Sequence, residues 1–351
     1  MTLPQPTHRV GEYVLEERIG AGAFGQVWRA RHHVWNDQIV AIKFPTEPQY
    51  LLSLQREGNA LHGLVHPNIV KAVAFDPYAD PAYLVMEYVP GNNLRAYVRD
   101  GQRMRPEDAV SALKQVLTGL AFAHQQGLVH RDVKPENILV HEAVSTEGFA
   151  APGKVKVTDF GLGRATQTAK AQSVAFSASL ESPQARELAG TLDYMAPEQR
   201  AGDPQLDGRA DLYACGVVLF EMLTGQRPAG TDVPSDLQPD LPRHLDEVFR
   251  RSYARLDKRY TSAMDMIAAM TMHDGVVPPL PVAKLRGCPQ CRQRVEPNDQ
   301  FCMNCGTQLV AVVRRCAACG AFPDSGDEFC NVCSHDLTGH NRKQTAIMGR
   351  R

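Results

Sequence analysis

Side chains that suit transfer of a phosphoryl group fall within eight consecutive residues, His130-Arg131-Asp132-Val133-Lys134-Pro135-Glu136-Asn137. Asp132 can orient an acceptor hydroxyl and take its proton, and Lys134 can reach the transferred phosphate. Asn137 offers a neutral amide oxygen to a magnesium ion, which prefers oxygen ligands. A polar turn of no special role would look similar, so the prediction depends on partner motifs elsewhere in the chain.

This octet resembles the catalytic loop of the protein-kinase superfamily, and its Lys-Pro-Glu-Asn ending resembles that of the serine/threonine branch. The resemblance implies an α+β fold of two lobes, with a β-rich N-lobe and a helical C-lobe. It also implies ATP with Mg²⁺ or Mn²⁺ as cofactors, and protein serine or threonine hydroxyls as acceptors.

A glycine-rich hairpin and a lysine-bearing strand come first in the chain. Gly20, Gly22 and Gly25 leave out side chains where a backbone must lie over phosphates, and Lys43 ends the strand Val40-Ala41-Ile42-Lys43. Dinucleotide-binding folds place a helix after such glycines, whereas a second strand follows here. The kinase resemblance implies that Lys43 contacts the α and β phosphates. It also implies nucleotide contacts from Val27 and Ala41.

A cation in a partly closed cleft needs a carboxylate to hold it, and Glu57 is the candidate partner of Lys43. Glu57 lies in a segment whose leucines, Leu51, Leu54 and Leu61, have helical spacing. In the family, a helix glutamate in this position plays that role. A solvated surface glutamate is the alternative. Glu47 is a rival, but Pro48 places it outside the helix.

The stretch from Ala82 to Val89 is predicted to be a strand that runs into Pro90-Gly91. It resembles the hinge between the two lobes of a kinase, which implies that backbone groups of Glu87 and Val89 bind adenine. Met86 takes the gatekeeper position, and ordinary core packing would explain it equally well. The next helix, marked by an apolar face from Val110 to Leu120, leads to His130.

Asp159 follows a short strand and begins Asp159-Phe160-Gly161, where the family holds the magnesium that bridges the nucleotide phosphates. The segment from there to Ala196-Pro197-Glu198 resembles an activation segment. Arg131, beside Asp132, is typical of kinases that respond to phosphorylation of this segment. Thr191 resembles the threonine that contacts the catalytic Asp and Lys. The unranked candidate acceptors are Thr166, Thr168, Ser173, Ser177, Ser179 and Ser182.

Two framework features follow from the same resemblance. Asp211, at the start of an apolar and therefore buried helix, is expected to hold the backbone of the catalytic loop. Arg259 is expected to pair with Glu198.

The sequence departs from the kinase pattern at residues 229–244. This run is polar and proline-rich and leaves no room for the helix with which many kinases dock protein substrates.

Eight of the nine cysteines form four Cys-x-x-Cys pairs after Gly287: Cys288/Cys291, Cys302/Cys305, Cys316/Cys319 and Cys330/Cys333. Even spacing leaves open whether the second pair joins the first or the third. Repetition of Asp299-Gln300-Phe301-Cys302 as Asp327-Glu328-Phe329-Cys330 favours a repeat unit two pairs long. Four thiolates suit tetrahedral zinc, so the sequence resembles a tandem zinc ribbon that holds two structural Zn²⁺ ions. Disulfides are the alternative, disfavoured in a reducing compartment.

Composition sets limits on partners and location. The net charge of −1 gives no sign of a polyanionic partner, and no apolar run approaches the length of a membrane span. From Lys284 onward there are ten basic and six acidic residues, together with eight thiolates and two zinc ions. The charges of these groups nearly cancel, and a nearly neutral module argues against strong nucleic-acid binding. We therefore expect a cytoplasmic protein that does not bind membranes. A protein partner is the favoured role for the ribbons.

The predicted organisation runs through six segments: tail 1–10, kinase domain 11–273, linker 274–287, ribbon one 288–310, ribbon two 316–338 and basic tail 339–351. The function predicted is that of a Ser/Thr protein kinase. The alternative from another class is a scaffold that binds nucleotide without turnover and presents its ribbons to partners. Because every catalytic position is filled, the enzyme is favoured. Phosphorylation of a small molecule is disfavoured by Thr191 and the Ala-Pro-Glu segment.

Overall fold

The computed structural model describes residues 5–22, 25–47, 50–160 and 192–271, together with scattered positions between 288 and 337. The chain divides into two compact units, residues 1–276 and 277–351. This division falls within the predicted linker. Among the described residues, no helix is both long enough and apolar enough to cross a bilayer.

A six-stranded antiparallel sheet forms the N-terminal lobe of the larger unit, in the order β1-β2-β3-β4-β6-β5. The strands are β1 (Arg9–Val10), β2 (Tyr13–Gly22), β3 (Gly25–His32), β4 (Ile39–Pro45), β5 (Ala72–Asp76) and β6 (Tyr83–Glu87). Arg9 and Val10, which fall in the predicted tail of residues 1–10, pair with the start of β2. In β3, Trp28 and Ala30 are buried while Arg29 and Arg31 alternate with them, as a half-buried strand requires.

Helix α1 (Leu51–Leu61) carries one buried face toward this sheet. Leu54, Glu57, Gly58 and Leu61 are buried and follow the spacing of one helical face. A Cβ at Gly58 would lie 3.3 Å from the ring of Phe75, so the glycine allows the helix to approach β5 closely. The carboxyl group of Glu57 therefore lies on the buried face of α1, which packs toward the sheet.

The helices of the helical lobe are α2 (Pro106–Gln125), α3 (Val144–Glu147), α4 (Pro197–Arg200), α5 (Arg209–Thr224), α6 (Pro234–Leu237), α7 (His244–Ser252) and α8 (Ala263–Thr271). Helix α5 is buried along nearly its whole length, as the sequence predicts. Around it pack α2, α7 and α8. Helix α5 ends at Gly225, whose φ of 73° lies in the left-handed region that glycine adopts readily.

A second antiparallel sheet carries the catalytic segments, with strands β7 (Gly91–Asn93), β8 (Ile138–His141) and β9 (Val155–Val157). The connector between β8 and β9 contains α3. Gln115 anchors this connector: its Nε2 donates to the carbonyls of Phe149 and Ala151, and its Oε1 accepts the amides of Lys154 and Val155. The connector is therefore held against α2.

Within residues 229–244, α6 forms a single turn. Asp236 accepts a hydrogen bond from the amide of Val233 at 2.9 Å, which starts the turn. The buried carboxylate of Asp246 on α7 accepts the amide and the hydroxyl of Ser235, at 3.0 and 2.6 Å. These bonds attach this stretch to the lobe.

Candidate active site

Lys43 lies between two carboxylates from distant parts of the chain. Its position on β4 is fixed by pairing with Val27 of β3 and Leu84 of β6. Its Nζ lies 2.8 Å from Glu57 Oε2 and 2.9 Å from Asp159 Oδ1. The contact expected between Lys43 and Glu57 is present. Helix α1, strand β4 and the segment that follows β9 thus meet at one cation.

Burial and mutual attraction compete in this cluster. Burial would lower the pKa of Lys43, but the carboxylates of Asp159 and Glu57 outweigh it and raise that pKa above its ordinary value. Burial also opposes the charge on Asp159, yet Lys43 holds the pKa of that carboxyl below its usual range. Burial raises the pKa of Glu57 to about 8, against the opposing pull of Lys43. Asp159 therefore carries the negative charge that balances Lys43, and Glu57 retains a proton near neutral pH.

The carboxylate of Asp132 is oriented by two side chains of its own loop. Lys134 Nζ lies 3.0 Å from Asp132 Oδ2, and Asn137 Nδ2 donates to the same oxygen at 3.0 Å and to the Asp132 carbonyl at 2.8 Å. Among the described residues, no donor reaches Oδ1. The amide of Asn137 uses its nitrogen in these bonds, so its oxygen is the atom that it could offer to a cation.

Residues around Thr158 join the catalytic loop to Asp159. His130 Nε2 lies 2.8 Å from the Thr158 carbonyl, and the Thr158 amide donates to the Asn137 carbonyl at 3.0 Å. The ring of Phe160 is fully buried and packs edge-on against His130, with 4.5 Å between ring centroids. The loop that carries Asp132 is therefore joined to the segment that carries Asp159, whose carboxylate contacts Lys43. Asp159 and Asn137 offer the oxygen donors that Mg²⁺ prefers.

Two residues of this site have backbone conformations that side chains rarely adopt. Arg131 has a φ of 70° and Asp159 a φ of 65°. Such left-handed geometry persists where surrounding bonds enforce it, and it is common at functional sites.

Asp211 supplies some of those bonds. Its side chain is buried, and it accepts hydrogen bonds from the amides of His130 and Arg131, at 2.9 and 2.7 Å. The expected hold on the catalytic-loop backbone is therefore present. His124 Nε2 also lies 2.8 Å from Asp211, and this bond, with the attraction of His124 and His130, keeps the pKa of Asp211 below its ordinary value despite burial. Sequence reasoning missed His124, whose signal is its place on the last turn of α2, six residues before His130.

The predicted nucleotide-binding residues lie along the β2–β3 hairpin and β6. Gly20 pairs with Val27, and Gly22 with Gly25. A Cβ at Gly25 would lie 2.6 Å from the carbonyl oxygen of Phe44, so the neighbouring strand β4 leaves no room for a side chain at this position.

The adenine end of the predicted nucleotide site is formed by neighbouring strands. Ala41 and Met86 are buried and paired across β4 and β6, while Val89 is partly buried. The amide of Glu87 donates to the Lys71 carbonyl at 2.9 Å, so Glu87 could offer adenine its carbonyl rather than its amide.

The residues after position 191 are tied to the catalytic loop and the helical core. Glu198 forms the expected bidentate pair with Arg259, with Oε2 and Nη2 2.8 Å apart. Thr191, Gly161 and the six candidate phosphate acceptors lie outside the described residues.

Two further links at this end of the chain were missed from the sequence. The carbonyl of Arg131 accepts a bond from Gln199. Arg95 Nη2 donates to the hydroxyl of Tyr194 at 2.6 Å, and both groups contact the buried Glu221. Arg95 also reaches Glu136 of the catalytic loop at 2.8 Å. Each of these bonds joins residues that are far apart in the chain, so no local sequence pattern predicts them.

In the smaller unit, cysteines converge in two clusters. Cys316, Cys319, Cys330 and Cys333 bring all four sulfurs within 4.8 Å of one another, and Cys288, Cys291 and Cys305 do the same. Cys302, the predicted fourth ligand of the first cluster, lies outside the described residues. The first pair therefore joins the second and the third joins the fourth, as the repeat favours.

The sulfur spacing distinguishes metal binding from disulfides. Sulfurs of Cys288 and Cys305, and of Cys316 and Cys333, are 3.6 Å apart, whereas a disulfide requires about 2 Å. Four sulfurs at about 2.3 Å from a tetrahedral zinc ion would lie about 3.8 Å apart. The donor set and its spacing fit zinc.

A third cluster, Glu12, His32 and His33, has the residue types of a metal site but not the free lone pairs. His32 Nδ1 accepts the amides of Val34 and Trp35, at 3.1 and 3.2 Å, so the proton of the neutral ring resides on Nε2. His33 Nδ1 lies 2.9 Å from the Glu12 carbonyl, and Arg9 faces its Nε2. These bonds fix the turn between β3 and β4 and do not fit a cation.

Comparison with known proteins gives the following matches. The profile of the protein kinase domain matches residues 13–274, and that of the double zinc ribbon matches residues 288–334. The serine/threonine-protein kinase PknB of Mycobacterium tuberculosis is 33% identical over 301 residues, which cover 79% of this chain and 45% of that protein. The serine/threonine-protein kinase PrkC of Bacillus subtilis is 30% identical over 279 residues, covering 74% and 40%. The chain spans less than half the length of these curated relatives.

Proposed function

Because this chain belongs to the protein kinase family, we propose that it transfers the γ-phosphate of Mg-ATP to serine and threonine hydroxyls of proteins. The observation that carries the proposal is the meeting of Lys43, Asp159 and the Asp132 loop in one site. The names of the relatives in Mycobacterium tuberculosis and Bacillus subtilis support serine and threonine as acceptors.

Each residue of the site has a role that its contacts support. Lys43, held by Glu57 and Asp159, would bind the nucleotide phosphates. Asp132 would orient the acceptor hydroxyl and take its proton, while Lys134 beside it would face the transferred phosphoryl group. Asp159 and Asn137 would hold Mg²⁺, which when bound neutralises charge on the phosphates. Thr191 is proposed to contact Asp132 and Lys134.

Regulation by phosphorylation of the segment before Ala196 is part of the proposal. It is supported by Arg131, whose guanidinium belongs to the loop that carries Asp132, and by the serine and threonine content of residues 161–191. An added phosphate would give such a guanidinium a strong anionic partner.

The cysteine clusters support two structural zinc ions and a role for the ribbons in binding a protein partner or in regulation. Cysteines that ligate zinc instead of forming disulfides are expected in a reducing compartment, which supports the proposed cytoplasmic location. No described feature of the ribbons favours nucleic acid over protein.

The experiment that tests the proposal is incubation of the full chain with γ-labelled ATP and a generic basic protein, followed by identification of the phosphorylated amino acids. Magnesium-dependent phosphoserine or phosphothreonine is expected, and Asp159→Asn should abolish the signal. Labelled phosphotyrosine, or nucleotide binding with no transfer, would overturn the proposal.

A further inference from the structure

The peptide bond between Arg131 and Asp132 is held from several directions. Arg131 has a φ of 70°, a conformation that persists only where its surroundings enforce it. Its amide donates to Asp211 Oδ1 at 2.7 Å, and its carbonyl accepts a bond from Gln199 Nε2 at 2.6 Å. The amide of Asp132, which belongs to the same peptide unit as that carbonyl, lies 3.2 Å from His130 Nδ1. Both polar ends of this peptide unit are thus fixed.

Gln199 and Asp211 both come from beyond residue 191, and Gln199 directly follows Ala196-Pro197-Glu198. It lies in α4 and is only 5% exposed. A buried amide needs hydrogen-bond partners, and the Arg131 carbonyl provides one. The neighbouring residue in α4, Glu198, forms two hydrogen bonds to Arg259 and thereby fixes the helix to the lobe. The donor of Gln199 is therefore presented from a rigid support.

We propose that Gln199 is a positioning residue for Asp132. By holding the Arg131 carbonyl, it sets the plane of the peptide that carries Asp132 and hence the direction of the Asp132 carboxylate. The inference rests on the proposed function, in which that carboxylate acts on the acceptor hydroxyl. It gives α4 a hydrogen bond through which the position of this helix affects the catalytic loop.

Kinetic constants of Gln199→Met test the inference. Methionine keeps the length and volume of the side chain but removes the donor. We expect kcat to fall by roughly 10- to 100-fold, because a small misplacement of a catalytic group has an effect of this order. The KM for ATP should change by less than about twofold, because Lys43 and Asp159 keep their contacts.

Two further variants sharpen the comparison. Gln199→His returns an N–H donor at a similar reach and should recover part of the lost kcat. Arg200→Met is the matched control, because exposed Arg200 lies on the same helix and donates to the Leu192 carbonyl at 2.7 Å instead of to the catalytic loop. It should keep the kcat of the wild type.

A readout independent of turnover is amide hydrogen exchange at Arg131 and Asp132. We expect faster exchange there in Gln199→Met and no change in Arg200→Met. A Gln199→Met protein with normal kcat and normal exchange at these amides would overturn the inference, even if its melting temperature were lower. Should the wild type itself transfer no phosphate, the proposed function would fail, and the exchange result alone would decide whether Gln199 positions the loop.

Discussion

Lys43 faces two carboxyl groups inside the protein, and a single cation cannot fully balance both. Asp159 remains ionised beside it, while burial raises the pKa of Glu57 to about 8. Unpaired charge in a poorly solvated site is costly, so uptake of a proton by one carboxyl group lowers the free energy of the cluster.

A pH dependence of stability follows from this proton. Between the ordinary pKa of Glu57 and a folded value near 8, the folded state binds a proton that the unfolded state has released. The contribution of Glu57 is thus complete at low pH and is lost as pH rises through about 8, by at most about 1.4 kcal/mol per pH unit. Unfolding of the nucleotide-free protein at pH 5.5 to 8.5 should show a shallower decline in Glu57→Gln than in the wild type. Equal slopes in the two proteins would contradict the assignment.

The residues of the catalytic loop could be predicted from the sequence because their chemistry is packed into eight positions. Gln199 and His124 could not, because each acts on a group 68 or 87 residues away in the chain. The left-handed conformations of Arg131 and Asp159 were also beyond sequence reasoning, since neither is a glycine. Side-chain type predicts chemistry well, whereas the bonds that orient a catalytic group depend on tertiary packing.

At the scale of elements, close contact between α5 and α7 depends on a residue without a side chain. A Cβ at Gly216 would lie 2.1 Å from Ser252 Oγ and 2.8 Å from Ser252 Cβ. Ser252 is fully buried and donates to the Phe249 carbonyl at 2.9 Å, so it cannot turn away without losing that bond.

Gly216→Ala should therefore reduce the free energy of unfolding by about 1–3 kcal/mol, as overpacking of a core does. Removing the opposing side chain in Gly216→Ala/Ser252→Gly should recover part of the loss, measured by urea unfolding. If the double variant lost as much free energy of unfolding as the two single variants together, the proposed contact would not limit the approach of the helices.

Periodic elements were predictable, and short ones were not. The apolar faces of α1 and α2 identified those helices, because burial of one face imposes a repeating pattern over several turns. Helix α5 was identified by its apolar sequence, which indicates burial on all sides. The single turns α3 and α6 bury too few residues to leave such a pattern, and α6 depends on Ser235 meeting Asp246 eleven positions later. Strand β1 is two residues long and is defined by its partner β2.

For the whole molecule, the pairing of the cysteines was predictable because a repeat marks the unit that folds around each metal. The clusters of the smaller unit agree with that repeat. Small units of this kind have little core of their own, and metal ligation supplies much of their folding free energy.

Metal analysis of the purified chain should find two zinc ions, and one each after Cys288→Ser or Cys316→Ser. Cys215→Ala is the control, since Cys215 is buried in α5 of the larger unit and should leave the zinc content at two. A zinc content that does not fall in the two serine variants would contradict the assigned ligands.

The measurement that tests the account most directly is the rate of phosphate transfer by Asp132→Asn, with ATP affinity measured on the same protein. Asp132→Asn should lower kcat by about 10²–10⁴-fold, because it removes the proton acceptor while Lys43 and Asp159 still bind nucleotide. Asp232→Asn, the same change at an exposed position, should retain the wild-type rate. A rate for Asp132→Asn equal to that of Asp232→Asn would contradict the central claim that Asp132 acts on the acceptor hydroxyl.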